Sequence, residues 1–130
     1  MAKRWRLNNN AFVNITTEGF SAGSAPDFLA VATDASKIDV ITSASSKVYY
    51  CSDMSVSSPS SAVISTGTDV LNGVSFPTSS GTAILVGNGG RIGSVSSSTF
   101  TLLNGVYGPR LNSVHFASTS IGTVAGDHFF

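Results

Sequence analysis

The sequence predicts an all-β fold of three four-stranded antiparallel units, and three observations support this. Charged residues make up 11% of the chain, against a usual share of about 25%, and Ser, Thr, Asn and Gly take their place; this composition disfavours helices and suits strands joined by tight turns. Apolar residues recur with period two, and no stripe of helical period lasts three turns. The segment LNGVSF at position 71 recurs as LNSVHF at position 111, which indicates an internal repeat.

The strands are runs of alternating apolar residues, rich in β-branched and aromatic types and bounded by turn residues such as DASK, SASS and PTSS. The turn at 88–90, Asn-Gly-Gly, suits a tight connection because Asn and Gly tolerate positive φ. In chain order the expected strands are FLAVAT (28–33), IDVIT (38–42), KVYYCS (47–52), AVIST (62–66), LNGVSF (71–76), TAILVG (82–87), RIGSVS (91–96), TFTLL (99–103), LNSVHF (111–116) and GTVAG (122–126).

Self-comparison divides the single domain, residues 1–130, into three units. The second unit, 70–109, has four strands, and the first, 28–69, can be laid over it. The third starts at 110 with only two strands. Its missing half is at the other end of the chain, because KRWRLNNNAFVNI aligns without gaps with RIGSVSSSTFTLL. We therefore expect residues 3–16 to complete the unit 110–130, so that the N- and C-terminal strands share one sheet and few sheet edges stay exposed.

The repeated motif resembles that of the Ycf48-like photosystem II assembly factors and the related BNR (Asp-box) β-propellers. This resemblance implies that each unit is a propeller blade. The Asp-box itself, S-x-D-x-G-x-x-W, is absent from SVSSSTFT, so the resemblance implies architecture and no catalytic or ligand-binding residue. Phe76 and Phe116 hold the same place in matching strands and are expected to be buried. The matching residues are Leu71, Asn72, Val74, Phe76, Val86, Gly87, Gly90 and Ile92, and again Leu111, Asn112, Val114, Phe116 and Val124.

The number of units leaves the architecture open. Closed propellers typically have four to eight blades, and this chain encodes three. Two chains would complete a six-bladed ring. A β-trefoil or a β-prism would instead let one chain with three units be self-sufficient.

No residue pattern typical of an enzyme is present, and we predict neither catalysis, nor a cofactor, nor a metal. Glu18 is the only Glu, and the Asp residues are spread over different turns. Asp127 and His128 are adjacent, but neighbours in a strand point to opposite faces. His115 is expected to be an ordinary strand residue, and Cys51, the single cysteine, a small buried one. Metal-ligand spacing and nucleophile-elbow motifs are absent as well.

The site candidates are aromatic residues that could form an interface or stack on a sugar. They do not recur at equivalent places in the units, since Trp5 aligns with Gly93 and with Tyr49, which argues against a repeated sugar pocket. Two consecutive terminal Phe residues are expected to pack on the N-terminal strands or on another subunit. The candidates are Trp5, Tyr49, Tyr50, Tyr107, Phe129 and Phe130.

Composition and targeting features lead to an expected function. The formal net charge is zero, so no global field attracts nucleic acid or an anionic membrane. Neither an apolar run of membrane-spanning length nor a signal peptide is present, yet the charge-poor surface suits a protein that acts outside cells. We expect a non-enzymatic structural protein of a bacteriophage virion, a capsid decoration or tail component. It would form homo-oligomers, with a six-bladed dimer favoured, and contact other virion proteins. The alternative is an extracellular, glycan-binding adhesion propeller.

Overall fold

The fold is all-β. The computed structural model describes residues 5–8, 11–14, 27–36, 38–51, 61–77, 81–97, 99–104 and 107–127. The ten expected strands all form, to within one residue at each end, and two further strands form near the N-terminus. The strands are β1 (Trp5–Asn8), β2 (Ala11–Asn14), β3 (Phe28–Thr33), β4 (Asp39–Ser43), β5 (Lys47–Cys51), β6 (Ser61–Ser65), β7 (Leu71–Ser75), β8 (Thr82–Gly87), β9 (Ile92–Ser96), β10 (Thr99–Asn104), β11 (Leu111–Phe116) and β12 (Gly122–Gly126), with a 3-10 turn at Asn88–Gly90.

The strands pair in chain order to form antiparallel sheets. We call β3–β4–β5–β6 the first sheet, β7–β8–β9–β10 the second sheet and β11–β12 the third sheet, while β1–β2 form an N-terminal hairpin. The first and second sheets therefore have the four strands expected of a unit, and the third has the expected two.

The repeat is visible in the strand register. The first two strands of the first, second and third sheets pair with the same irregularity, a bulge of one extra residue near the start of the first strand. A bulge at a fixed place bends each strand in the same way, so the three units share their backbone geometry as well as their sequence pattern. The bulges lie between Phe28 and Ala30, between Leu71 and Gly73, and between Leu111 and Ser113.

The same backbone hydrogen bond closes the open end of each of these hairpins. In every case the N–H of the residue directly after the second strand donates to the carbonyl of the residue directly before the first strand. The bonds are Ala44 N–H to Asp27 O (3.0 Å), Asn88 N–H to Val70 O (3.0 Å) and Asp127 N–H to Arg110 O (2.7 Å).

The turn after β8 has the predicted conformation. Gly89 and Gly90 have φ angles of 66° and 75°, and Ser46 has a φ of 55° at the matching place of the first sheet. Gly accepts this left-handed region at little cost, so the glycines let β9 fold back beside β8.

The N-terminal hairpin repeats the register of β9–β10. This register agrees with the gapless alignment of residues 3–15 with 91–103. Leu7 lies opposite Phe12 as Val95 lies opposite Phe100, and Asn8 lies opposite Ala11 as Ser96 lies opposite Thr99.

The core lies between the first and second sheets. Its central side chains have no exposed surface or almost none, and Ala30, Ala32 and Phe76 pack on it. It consists of Val40, Val48, Ile64, Leu71, Val74, Ala83, Leu85 and Val95. β3 and β4 lie against β7, and β11 lies against β7 and β8; no comparable contact joins the first and third sheets within the described ranges. The second sheet therefore lies in the middle of the stack.

Two expectations need correction. The N-terminal hairpin and the third sheet are separate two-stranded sheets, so the sheet shared by the two chain ends is not formed in this structure.

Phe76 and Phe116 are half-buried rather than buried. The matched position at which both strands have a buried side chain is instead Val74 and Val114, with 8% and 7% of their surface exposed. The Phe116 ring covers Gly122 on the neighbouring strand, where an added Cβ would lie 2.7 Å from a ring carbon. The phenylalanines therefore close the edge of the packed layer, and the valines fill its centre.

Candidate interaction surfaces

The groups that could carry acid–base or metal chemistry are dispersed. In the part of the chain that the structure describes, no three His, Cys, Asp or Glu side chains could hold a metal ion together. His115 is exposed on β11. Cys51 is buried, as expected. Glu18 and His128 lie outside the described residues.

Tyr49 is part of the packing of the first sheet. Only 8% of its surface is exposed, and its ring meets that of Phe28 edge-on, with centroids 5.5 Å apart and an interplanar angle of 73°. Burial raises the pKa of the Tyr49 phenol because it disfavours the phenolate. Tyr50, the next residue, is half-buried and packs against the core.

Tyr107 lies on the surface instead. It stands in the connection between the second and third sheets, with 87% of its surface exposed. The Arg91 guanidinium lies over its ring, 5.4 Å from the centroid. Arg91 also forms an ion pair with Asp69, Nε to Oδ1 3.0 Å. Trp5 lies in β1, opposite Asn14. Phe129 and Phe130 lie outside the described residues.

The three tyrosine candidates, whose side chains the structure describes, are therefore not gathered into one site. Tyr49 and Tyr50 belong to the first sheet, and Tyr107 follows the second. The sequence cannot distinguish a core tyrosine from a surface tyrosine here, because KVYYCS is a strand on either interpretation. Which of its side chains are buried depends on the neighbouring sheets that cover them.

Sequence reasoning missed the contacts that join the second and third sheets. The Asn72 amide Nδ2 donates to Asn88 Oδ1 and to the Leu111 carbonyl, each at 2.9 Å. One side chain thus links the turn after β8 to the first residue of the next sheet. The recurrence of Leu-Asn at 71–72 and 111–112 was the feature that could have indicated this role.

A close approach of two backbones accompanies this bridge. A Cβ added at Gly73 would lie 2.9 Å from Ser113 Cα and 3.1 Å from the Asn112 carbonyl oxygen. Real Cβ atoms keep greater distances, so only glycine allows β7 and β11 to lie this close. Further along the same interface, the Gly108 N–H donates to the Gly89 carbonyl at 2.9 Å.

The third sheet repeats half of this arrangement. Asn112 occupies the place of Asn72, and its Nδ2 donates to Asp127 Oδ1 at 3.0 Å, as Asn72 donates to Asn88. Among the described residues no carbonyl of a following sheet completes the bridge. The outer face of the third sheet thus repeats the amide donor of the second sheet, with Ser113 in the place of Gly73 and hence without the same close backbone approach.

Comparison of the chain with protein families, with curated proteins and with solved structures found no match. The described part of the chain has no helix long and apolar enough to cross a membrane.

Proposed function

We propose that this chain is a non-enzymatic structural module whose three units are β-propeller blades that assemble into a closed ring with other copies. The main support is the shared register of the three units, each with its bulge at the same place, in sheets that stack in chain order. A propeller is built from such repeated four-stranded sheets. In the same proposal, the N-terminal hairpin of one copy and the third sheet of another copy are two halves of one blade.

Rigid sheet packing is the proposed mechanism. Backbone hydrogen bonds, close backbone contact at Gly73 and the Asn72 bridge hold adjacent sheets in one orientation. A low density of charge lets neutral surfaces associate with little repulsion. Such a module binds other proteins through the complementarity of preformed faces.

We place this module in a bacteriophage virion, as a capsid decoration or tail component. The support is compositional: 11% charged residues with a formal net charge of zero, and many Ser, Thr, Asn and Gly residues in their place. The partners in this proposal are further copies of the chain and other virion proteins.

Sedimentation velocity at micromolar concentration tests the assembly. We expect species larger than the monomer, because the third sheet has only two of its four strands. A folded protein that stays strictly monomeric would contradict the proposal. Particles purified on a density gradient from a lysate of cells that carry the gene should contain the chain, and its absence from them would contradict the placement in a virion.

A second candidate function, glycan binding in surface adhesion, is favoured by Tyr107. An aromatic ring with 87% of its surface exposed offers the flat apolar face on which a sugar can stack. A glycan array with the wild type and with Tyr107→Ala and Trp5→Ala would test it. Binding that either substitution abolishes would favour the lectin, and the absence of binding by the wild type would leave the structural module.

A further inference from the structure

The third sheet presents an open edge where the second sheet is paired. In the second sheet the outer edge of β8 pairs with β9, whereas β12, the equivalent strand, pairs only with β11 within the described ranges. Every residue of β12 is exposed. An unpaired edge carries backbone donors and acceptors that a further strand can satisfy.

The same sheet also presents an open face. Ser113 and His115 are exposed on β11, while their equivalents on β7, Gly73 and Ser75, are buried and half-buried beneath the third sheet. The pairing of Ser113 with Ala125 and of His115 with Thr123 extends this face across β12. Ser, His and Thr side chains make most of this face polar.

The first sheet has the face that would fit there. Val74 and Val114 are buried at 8% and 7% exposure, and each lies on a strand that packs against the preceding sheet. Val31 holds the same place in β3, and 58% of its surface is exposed. Among the described residues, no sheet packs on it in the way that the preceding sheet packs on each of its two equivalents.

We propose that the third sheet of one copy is completed by the N-terminal hairpin and first sheet of a second copy, in head-to-tail contact. This inference rests on the proposed assembly function and specifies its interface. The partner's β1 would pair with β12, and the partner's first sheet would cover the outer face of β11–β12.

The register of the new strand pair follows from the second sheet. There Ile84 lies opposite Ser94 and Leu85 opposite Gly93. In the repeat, the equivalents of Ile84 and Leu85 on β12 are Thr123 and Val124. The equivalents on β1 are Arg6 for Ser94 and Trp5 for Gly93, so the register across the two copies is Thr123 opposite Arg6 and Val124 opposite Trp5.

The face contact has a specific hydrogen bond as well. Asn72 donates to the carbonyl of Leu111, the first residue of the next sheet. In the proposed contact Asn112 would donate in the same way to the carbonyl of Phe28 of the second copy, because Phe28 begins the first sheet as Leu111 begins the third.

The first sheet of a second copy fits this contact better than the first sheet of the same chain. Within one chain the second sheet separates the open face of the first sheet from the open face of the third. The two could meet only in a ring of three sheets, whereas closed propellers typically have four or more. Two copies in head-to-tail contact contain six units, within that range.

Cysteine cross-linking tests the register and the copy together. Thr123→Cys and Arg6→Cys would be made in separate chains, mixed after reversible denaturation, refolded and oxidised, and compared on a non-reducing gel. Directly opposite residues have the Cα separation that a disulfide needs. Because the proposed contact raises the effective thiol concentration from micromolar to millimolar, the hetero-dimer should form on the order of 1,000-fold faster than from unassociated chains.

The matched control is Thr123→Cys mixed with Asn8→Cys. That pair is out of register by two residues, which adds about 6.6 Å along the strand and puts the thiols beyond disulfide reach. The wild type, with buried Cys51, controls for background oxidation. A double variant, Thr123→Cys with Arg6→Cys in one chain, reports pairing within the chain.

A second measurement probes the face alone. Ser113→Arg places a long charged side chain on the proposed contact at a position that is exposed in the single chain. Thr101→Arg, equally exposed on β10, is the control. Sedimentation velocity should show monomers for Ser113→Arg and an unchanged assembly for Thr101→Arg.

The outcomes separate this inference from the proposed function. Cross-linking of Thr123 with Arg6 between chains and loss of assembly in Ser113→Arg support the inference. Cross-linking only within the double variant's own chain overturns the second copy. If the wild type assembles but shows neither the Thr123–Arg6 cross-link nor the loss of assembly in Ser113→Arg, the proposed interface is wrong and the assembly function still stands. A monomeric wild type overturns the interface and the assembly function together.

Discussion

Replacing Gly73 by Ala should weaken the junction of the second and third sheets. The added Cβ would lie 2.9 Å from Ser113 Cα, 3.1 Å from the Asn112 carbonyl oxygen and 3.2 Å from the Val114 nitrogen. Ordinary contacts begin at 3.4 Å, so β11 must move away by about 0.5 Å. All three atoms belong to the backbone, and no side-chain rotation can relieve the contact.

The magnitude follows from two opposing terms. Overpacking of a closely packed site costs about 1–3 kcal/mol. The stiffer unfolded chain of an Ala variant offsets about 0.4–1 kcal/mol of this. We expect a net loss of about 1–2 kcal/mol in the free energy of unfolding, measured by urea denaturation with the m-value fitted for each variant.

Gly81→Ala is the matched control, because an added Cβ there meets nothing within 4 Å. It should be neutral or slightly stabilising. Equal stability of the Gly73 and Gly81 variants would refute the close approach of β7 and β11, and with it the tight packing of these two sheets.

Three further predictions concern single side chains. Asn72→Ala removes two hydrogen bonds of 2.9 Å and should lower the free energy of unfolding by about 1–3 kcal/mol, which urea denaturation would show; an unchanged midpoint would contradict the bridge. Thr42→Val should raise the free energy of unfolding by about 1 kcal/mol, because the buried Thr42 hydroxyl has no partner among the described residues and the second sheet has Val86 in its place. A lower free energy of unfolding in urea denaturation would show that the hydroxyl is satisfied. Burial raises the pKa of the Tyr49 phenol, so the stability that the neutral phenol contributes is fully present below the ordinary tyrosine pKa of about 10 and is lost as the pH rises through the folded-state pKa. Tyr49→Phe should therefore flatten the loss of stability in denaturation curves recorded from pH 9 to 12. An equally steep loss in the variant would assign the loss to other groups.

The strands could be predicted from the sequence because their determinants are local. Period-two apolar runs between turn residues define β7 and β11, and the structure forms both where the pattern indicates. The hairpin registers follow as well, because a short turn with a bulge leaves little freedom in pairing. The same local reason explains why the N-terminal hairpin matches β9–β10.

The burial of individual side chains could be predicted only in part. Tyr49 and Tyr107 are both aromatic residues in a small β domain, yet one is 8% exposed and the other 87%. The difference lies in which residues cover them, and these are distant in sequence. Val31, Val74 and Val114 show this most directly, since three equivalent valines differ in burial according to whether a sheet precedes them.

The sequence by itself determined the all-β class, the strand positions and the equivalence of three units, because backbone pairing between neighbouring strands depends on residues close in the chain. Only the tertiary structure decided that the second sheet lies between the first and the third, that Asn72 and Gly73 form their junction, and that the two chain ends do not share a sheet here. These features depend on how whole sheets stack, and that stacking is determined by contacts between residues far apart in the chain.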